Sequence, residues 1–148
     1  MGITVVPLAA RHVEAVAALE SACFADPWSR DALAEELHNP CARFLVAEAD
    51  GEVAGYLGCH HVTDEGFIAN VAVHPRFRRR GIGRLLVAAA IEQGEDLYRL
   101  TLEVRTSNEA AIALYRALGF VEDGVRPRFY AHPTEDAAIY SYYYPDQR

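Results

Sequence analysis

The alternation of apolar and polar positions predicts a strand first, over residues 2–7 (Gly-Ile-Thr-Val-Val-Pro). From Arg11 to Phe24, apolar residues at Val13, Val16, Ala17, Leu19 and Ala22 recur at close to helical spacing. Asp26-Pro27-Trp28 breaks that run, and Ser29 is placed to cap a second helix reaching about His38. Residues 43–48 read as a strand, Asp50-Gly51 as a hairpin turn, and Glu52 to Val62 as the returning strand. Phe67 to Val73 is a further strand, stopped by His74-Pro75. A helix opens at Gly81-Ile82-Gly83 and runs to about Gln93, where Gly94 ends it.

Tyr98 to Arg105 alternates cleanly, with Leu100, Leu102 and Val104 on one face and Thr101, Glu103 and Arg105 on the other. Asn108 can cap a helix through Leu118, which Gly119 ends, and two last strands are expected around 120–126 and 137–144. The order β-α-α-β-β-β-α-β-α-β-β implies a mixed sheet covered by helices. There is no internal repeat, low-complexity tract or linker. At 148 residues the chain is long enough for one domain that buries its own core.

Composition narrows the classes. The chain is half apolar and a quarter charged, the balance of an ordinary soluble protein. No apolar stretch approaches the roughly 18 residues that span a bilayer, and no charged-then-apolar leader opens the chain. Cys23, Cys41 and Cys59 are odd in number and lack C-x-x-C spacing, which suits reduced thiols and a cytoplasmic setting. The net charge of −7 argues against a general nucleic-acid binder and favours a cationic partner.

Against that acidic balance, arginines crowd at 76, 78, 79, 80 and 84 around Gly81 and Gly83, with apolar runs on both sides. A glycine turn between a strand and a helix leaves backbone N–H groups free at the helix N-terminus, with cations close by, which suits phosphate. A solvated surface, a nucleic-acid patch or a localisation signal would instead place the arginines in a polar stretch. Neither G-x-x-x-x-G-K-[ST] nor G-x-G-x-x-G is present, since residue 86 is Leu. A phosphate-bearing ligand is the reading these residues favour.

The segment Val71-Ala72-Val73-His74-Pro75, followed by Arg78-Arg79-Arg80-Gly81-Ile82-Gly83, resembles the R/Q-x-x-G-x-G/A acetyl-CoA motif of the GNAT family of N-acetyltransferases. Residues 102–120, from Leu-Glu-Val-Arg-Thr-Ser-Asn through Leu118-Gly119-Phe120, resemble the family's second signature. Pro27-Trp28-Ser29, Leu-Glu-Val-Arg-x-Ser-Asn and a C-terminal Arg-x-x-aromatic-Tyr segment are similar to the RimI-type group, which acetylates a ribosomal protein's N-terminal alanine. The resemblance implies an α/β GNAT fold over residues 1–148: a mixed, mostly antiparallel sheet of about seven strands flanked by about four helices.

It also implies roles. Acetyl-CoA is the expected co-substrate, with no metal. The backbone of Arg79, Arg80, Gly81, Ile82, Gly83 and Arg84 would cradle its pyrophosphate, and the backbone of Val71, Ala72 and Val73 would pair with the pantetheine arm as an added strand does. Asn108 would contact CoA or serve as a helix cap. An α-amine has a pKa of about 7.7–8 and must lose a proton before it attacks. Glu103 matches the family's base; a salt bridge with Arg105 is its alternative. Tyr115 matches the acid that protonates the departing thiolate; a half-buried core tyrosine is its alternative. Trp28 and Tyr130 are expected to contact the acceptor.

Cys59-His60-His61 is not expected to hold a metal, because adjacent strand residues point to opposite faces. Cys59 as an acyl-accepting nucleophile is the alternative to direct transfer. The tyrosines at 140, 142, 143 and 144 are expected in strand core and edge. The chain departs from the group at Arg126-Pro127-Arg128-Phe129-Tyr130, where the pattern is Arg-x-Asn-Tyr-Tyr, and a shortened turn is expected over residues 131–136. The expected acceptor is a basic protein N-terminus, with the alanine end of small-subunit ribosomal protein eighteen as the group's substrate; nucleic acid and membrane are not expected partners. A small-molecule amine, a lysine side chain, or a CoA-binding module without catalysis are the alternatives.

Overall fold

The computed structural model describes residues 2–145. Its elements are β1 (Ile3–Pro7), α1 (Val13–Cys23), α2 (Arg30–Glu36), β2 (Leu45–Ala49), β3 (Glu52–Val62), β4 (Glu65–Val73), α3 (Ile82–Gln93), β5 (Arg99–Arg105), α4 (Glu109–Ala117), β6 (Val121–Ala131) and β7 (Thr134–Tyr143), with single 3-10 turns at Ala10–His12 and Pro75–Phe77. The strands form one seven-stranded sheet in the order β1-β2-β3-β4-β5-β7-β6. Every neighbouring pair is antiparallel except β4 with β5. No helix among the described residues is long and apolar enough to cross a membrane.

Each face of the sheet buries its own core. Val13, Val16 and Leu19 of α1 and Leu33 of α2 pack on Phe44, Val46, Tyr56 and Ala72. Leu86, Val87 and Ala90 of α3, with Tyr115 of α4, pack on Leu45, Leu57, Cys59, Leu100, Leu102 and Tyr140 on the opposite face. The period-2 pattern of β5 is realised: Leu100, Leu102 and Val104 are buried, while Thr101, Glu103 and Arg105 are half-buried on the other side.

Two caps follow the residue chemistry. Ser29 accepts from the Ala32 N–H at 3.1 Å, and Asn108 accepts from the Ala111 N–H at 3.2 Å. Three of the boundaries that differ from the sequence reading have a local cause. The first α-helix begins at Val13, because the 3-10 turn 10–12 precedes it. The second ends at Glu36, because Leu37, His38 and Asn39 turn inward onto carbonyls three residues back. The third is the 127–136 segment. The flanking strands run further than expected, β6 to Ala131 and β7 from Thr134, so the turn expected over 131–136 is confined to residues 132–133, with Tyr130 facing Glu135 and Ala131 facing Thr134. A register shift between Arg126 and Tyr130 takes Pro127, which cannot donate to a ladder, out of pairing.

Candidate active site

The parallel pairing of β4 with β5 is short, covering Glu65–Ile68 against Arg99–Leu102. Beyond it the strands part. On β4, Ala69 is the extra residue of a bulge, since Gly58 faces Asn70 while the next residue, Cys59, faces Ile68. From Asn70 to Val73, β4 pairs only with β3; from Glu103 to Arg105, β5 pairs only with β7. A cavity of about 440 Å³ opens at this split. It brings together Trp28, Val71, Glu103, Asn108, Tyr115 and Tyr130, which come from well-separated segments of the sequence.

Glu103 stands on the half-buried face of β5, and its Oε2 is buried with no hydrogen-bond donor. The Arg126 guanidinium lies 3.5 Å from that oxygen, close enough to attract it but not aligned to donate to it. Arg105 does not pair with Glu103. It reaches the β6–β7 tip instead, donating to the Pro133 carbonyl at 2.8 Å and the His132 carbonyl at 3.2 Å, and pairing with Glu135 at 3.3 Å. Glu135 also accepts from the Ser107 N–H at 2.7 Å, so the tip is tied to the end of β5.

Tyr115 is buried, and burial followed by the neighbouring Tyr130 pushes its phenol up to about 12. Its hydroxyl has no hydrogen-bond partner among the described residues and it lines the cavity. Tyr130 lies under the Arg105 guanidinium at 4.4 Å; burial, and then the Glu103 carboxylate, raise its phenol as well. Trp28 packs on Phe44 with ring centroids 5.7 Å apart and lines the same cavity.

At the far end of β4, Arg79 and Gly81 both adopt positive φ, 66° and 75°, and Gly81 is the N-cap of α3. Gly81 is required by conformation: an added Cβ would meet nothing within 4 Å, but its backbone lies in the left-handed region that side chains disfavour. No backbone N–H from residue 81 to residue 84 donates to an acceptor among the described residues. The first turn of α3 carries no acidic residue. Arg79, Arg80 and Arg84 are exposed and have no carboxylate within 4 Å among the described residues, whereas Arg76 pairs with Glu52. A positive helix end crowded with unpaired arginines is unfavourable until an anion arrives. The Ile82 side chain is buried in the core, so only its backbone faces this turn. Val73 presents its carbonyl to the Arg78 Nε at 3.3 Å. These residues fit a phosphate group joined to a strand-like arm along the free edge of β4.

The triplet Cys59-His60-His61 diverges. Cys59 is buried beneath α3, His60 meets Glu36 at 3.1 Å and stacks on Trp28, and His61 Nε2 is buried without a partner. Tyr140 is core, and Tyr143 and Tyr144 bond to Asp123 and the Ile91 carbonyl.

Sequence reading missed Glu20 and Asn70. Glu20 is wholly buried and accepts from the Trp28 N–H at 2.7 Å, from the Tyr56 hydroxyl and from Asn70 Nδ2 at 2.9 Å. The signal was present: Glu20 lies seven residues after Val13 and four after Val16, in phase with the buried stripe of α1.

Residues 13–120 match the family model described as Acetyltransferase (GNAT) family. The [ribosomal protein bS18]-alanine N-acetyltransferase of Salmonella typhimurium is 40% identical over 127 residues, covering 82% of this chain and 84% of that protein. The crystal structure of the ribosomal-protein-S18-alanine N-acetyltransferase from Escherichia coli superposes with a TM-score of 0.90 at 32% identity, covering 99% of this chain and 97% of the other. A chain of the NatC complex bound to Gag peptide and CoA superposes with a TM-score of 0.83 at 25% identity, over 98% of this chain and all of that one. The split sheet, the glycine turn and these matches lead to one identification: the chain belongs to the acetyltransferase (GNAT) family and is an N-acetyltransferase.

Proposed function

We propose that this protein transfers the acetyl group of acetyl-CoA directly to the α-amine of an N-terminal alanine on a basic ribosomal protein, bS18, in the cytoplasm. The observation that carries the reading is the meeting of Glu103, with its unpaired carboxylate oxygen, and the Tyr115 hydroxyl in one cavity at the split of β4 and β5. The relatives named for bS18 alanine acetylation support the acceptor, and the neighbour bound to CoA supports the donor.

In this reading the N–H groups of residues 79–84 hold the pyrophosphate, assisted by Arg79, Arg80 and Arg84. The free edge of β4 at Val71, Ala72 and Val73 pairs with the pantetheine arm, which brings an activated thioester to the cavity. Asn108 spends its Oδ1 on capping α4, leaving only its Nδ2 for CoA. Glu103 takes a proton from the incoming ammonium, freeing the nitrogen lone pair to attack the thioester carbon. As the carbon–sulfur bond breaks, Tyr115 gives its proton to the sulfur, while the acylated nitrogen releases its second proton to solvent, from which the phenolate is recharged. Trp28 and Tyr130 wall the acceptor.

The test is mass spectrometry of a basic alanine-initiated peptide, a lysine-containing peptide with a blocked N-terminus and a panel of small amines after incubation with acetyl-CoA. A single acetyl on the alanine α-amine is expected. Acetylation of only the lysine or the small amines would overturn the acceptor assignment.

A further inference from the structure

The residue that links the buried Glu20 to the cavity is Asn70. Its Nδ2 donates to Glu20 Oε2 at 2.9 Å and lies 3.3 Å from the Tyr56 hydroxyl oxygen, and Asn70 also lines the cavity. Chemistry fixes the orientation of this amide. A carboxylate oxygen only accepts, so the NH2 group must face Glu20 and the carbonyl oxygen cannot. Tyr56 holds the other side of the arrangement. Burial, and then its bond to Glu20, push its phenol well above the ordinary range, so it stays protonated and donates to the carboxylate.

The Asn70 Oδ1 has no donor among the described residues, and it is not one of the buried unpaired atoms. Asn70 stands on β4 directly after the Ala69 bulge, while Glu103 stands on β5 across the split. The cavity therefore has an acceptor atom on each of the two parting strands.

We propose that Asn70 Oδ1 is a binding atom for the acceptor's amine, and that Glu20 is the positioning residue that keeps this oxygen turned into the cavity. The inference rests on reading the cavity as the acceptor site. An ammonium has three N–H groups. One goes to Glu103, which removes it, and one goes to Asn70 Oδ1, which keeps hold of the nitrogen after the proton has left. With that second point held, the lone pair is aimed at the thioester carbon rather than free to swing. Glu20 also accepts the Trp28 N–H, so the same carboxylate sets a wall of the cavity and the amine-binding amide.

The test is steady-state kinetics of the full chain, with the KM for the acceptor and the KM for acetyl-CoA measured separately. Asn70→Ala is expected to raise the acceptor KM roughly tenfold or more, the loss of a hydrogen bond to a charged group, with the acetyl-CoA KM unchanged. Glu20→Gln is expected to reproduce this defect from outside the cavity. The Gln Nε2 has to face the Asn70 Oδ1, which flips the amide and turns its NH2 on the ammonium. The exchange Glu20→Gln with Asn70→Asp restores a donor facing an acceptor inside and a free oxygen outside, and is expected to recover most of the acceptor KM.

An Asn70→Ala protein with an unchanged acceptor KM, or with both KM values raised equally, would overturn this inference and leave the proposed function standing. A single Glu20→Gln variant that fails to fold is bypassed by Asn70→Ala, which tests the same amide directly. If the wild type ignores alanine peptides and acetylates small amines, the proposed acceptor is wrong, and the KM comparison on those amines decides the role of Asn70. If it acetylates no amine, both readings fall.

Discussion

Glu103 and Arg126 meet at 3.5 Å across the β5–β7–β6 register, yet the carboxylate oxygen nearest the guanidinium accepts no hydrogen bond. Arg126 is largely exposed, so its hold is screened by water and easily displaced by an incoming ammonium. An oxygen buried without a donor is costly in a carboxylate with only a structural role, and it is what a proton acceptor needs.

Glu103→Gln keeps the shape and removes the basicity. It is expected to lower kcat at pH 7 by about 10²–10⁴-fold, the usual span of general-base catalysis. The α-amine loses its own proton above roughly pH 8. The ratio of wild-type to variant rates should therefore shrink as pH is raised from 7 to 9.5. A ratio that is constant across that range would remove the base assignment.

Tyr115 gives the second expectation. Its raised phenol stays protonated far into the alkaline range, so an acid role predicts no fall in wild-type turnover from phenol ionisation below about pH 10. Tyr115→Phe should slow transfer by tenfold or more while the affinity for CoA, measured by calorimetry, stays within a factor of two or so. Unchanged turnover in the variant would leave Tyr115 the role of a buried core aromatic, packed on Phe120 at 5.8 Å.

Gly81 supplies the third. A β-branched residue at φ 75° is strained wherever its side chain points, and relaxing that strain rotates the N–H groups that open α3. Gly81→Val is expected to abolish measurable CoA binding, whereas Arg80→Ala, which removes an exposed cation resting on Phe77, should weaken it only several-fold. CoA affinity in the Gly81 variant equal to wild type would refute the phosphate-cradle reading.

Much of this was written in local pattern. The glycine turn, the alternation of Leu100, Leu102 and Val104, and the Ser29 and Asn108 caps are set by residues within four positions of each other, and they stand where spacing put them. The 127–136 hairpin was not legible, because Pro127 and Pro133 read as breakers, and only the pairing partner Glu135 and the Arg105 clasp reveal that the strands continue. The link between Asn70 and Glu20 was hidden for a different reason. Helical phase marks Glu20 as buried, but the two are fifty residues apart, and their contact shows only when the carboxylate's three donors, from a loop and two strands, are seen to converge. The Glu103–Arg126 contact likewise depends on two strand registers that no local rule fixes.

Cys59 leads to a prediction about stability rather than rate. It is wholly buried against α3, and burial pushes its thiol up to about 12. In the unfolded chain the same thiol titrates near 8.5. Below that value both states hold the proton and nothing is lost; above it the unfolded state gives up a proton that the folded state keeps, so stability falls until the folded value is reached. From pH 8.5 to 10 the loss from this one group is roughly 2 kcal/mol. Guanidinium unfolding at pH 8 and pH 10 should show that drop in the wild type and a smaller one in Cys59→Ala, which carries no titrating thiol. The variant should keep its acetyl-transfer rate, since the direct transfer proposed above does not pass through Cys59. A variant as alkali-sensitive as the wild type would assign the loss to the tyrosine hydroxyls of buried Tyr56 and Tyr115 and half-buried Tyr144, whose phenols are raised by burial in the same direction.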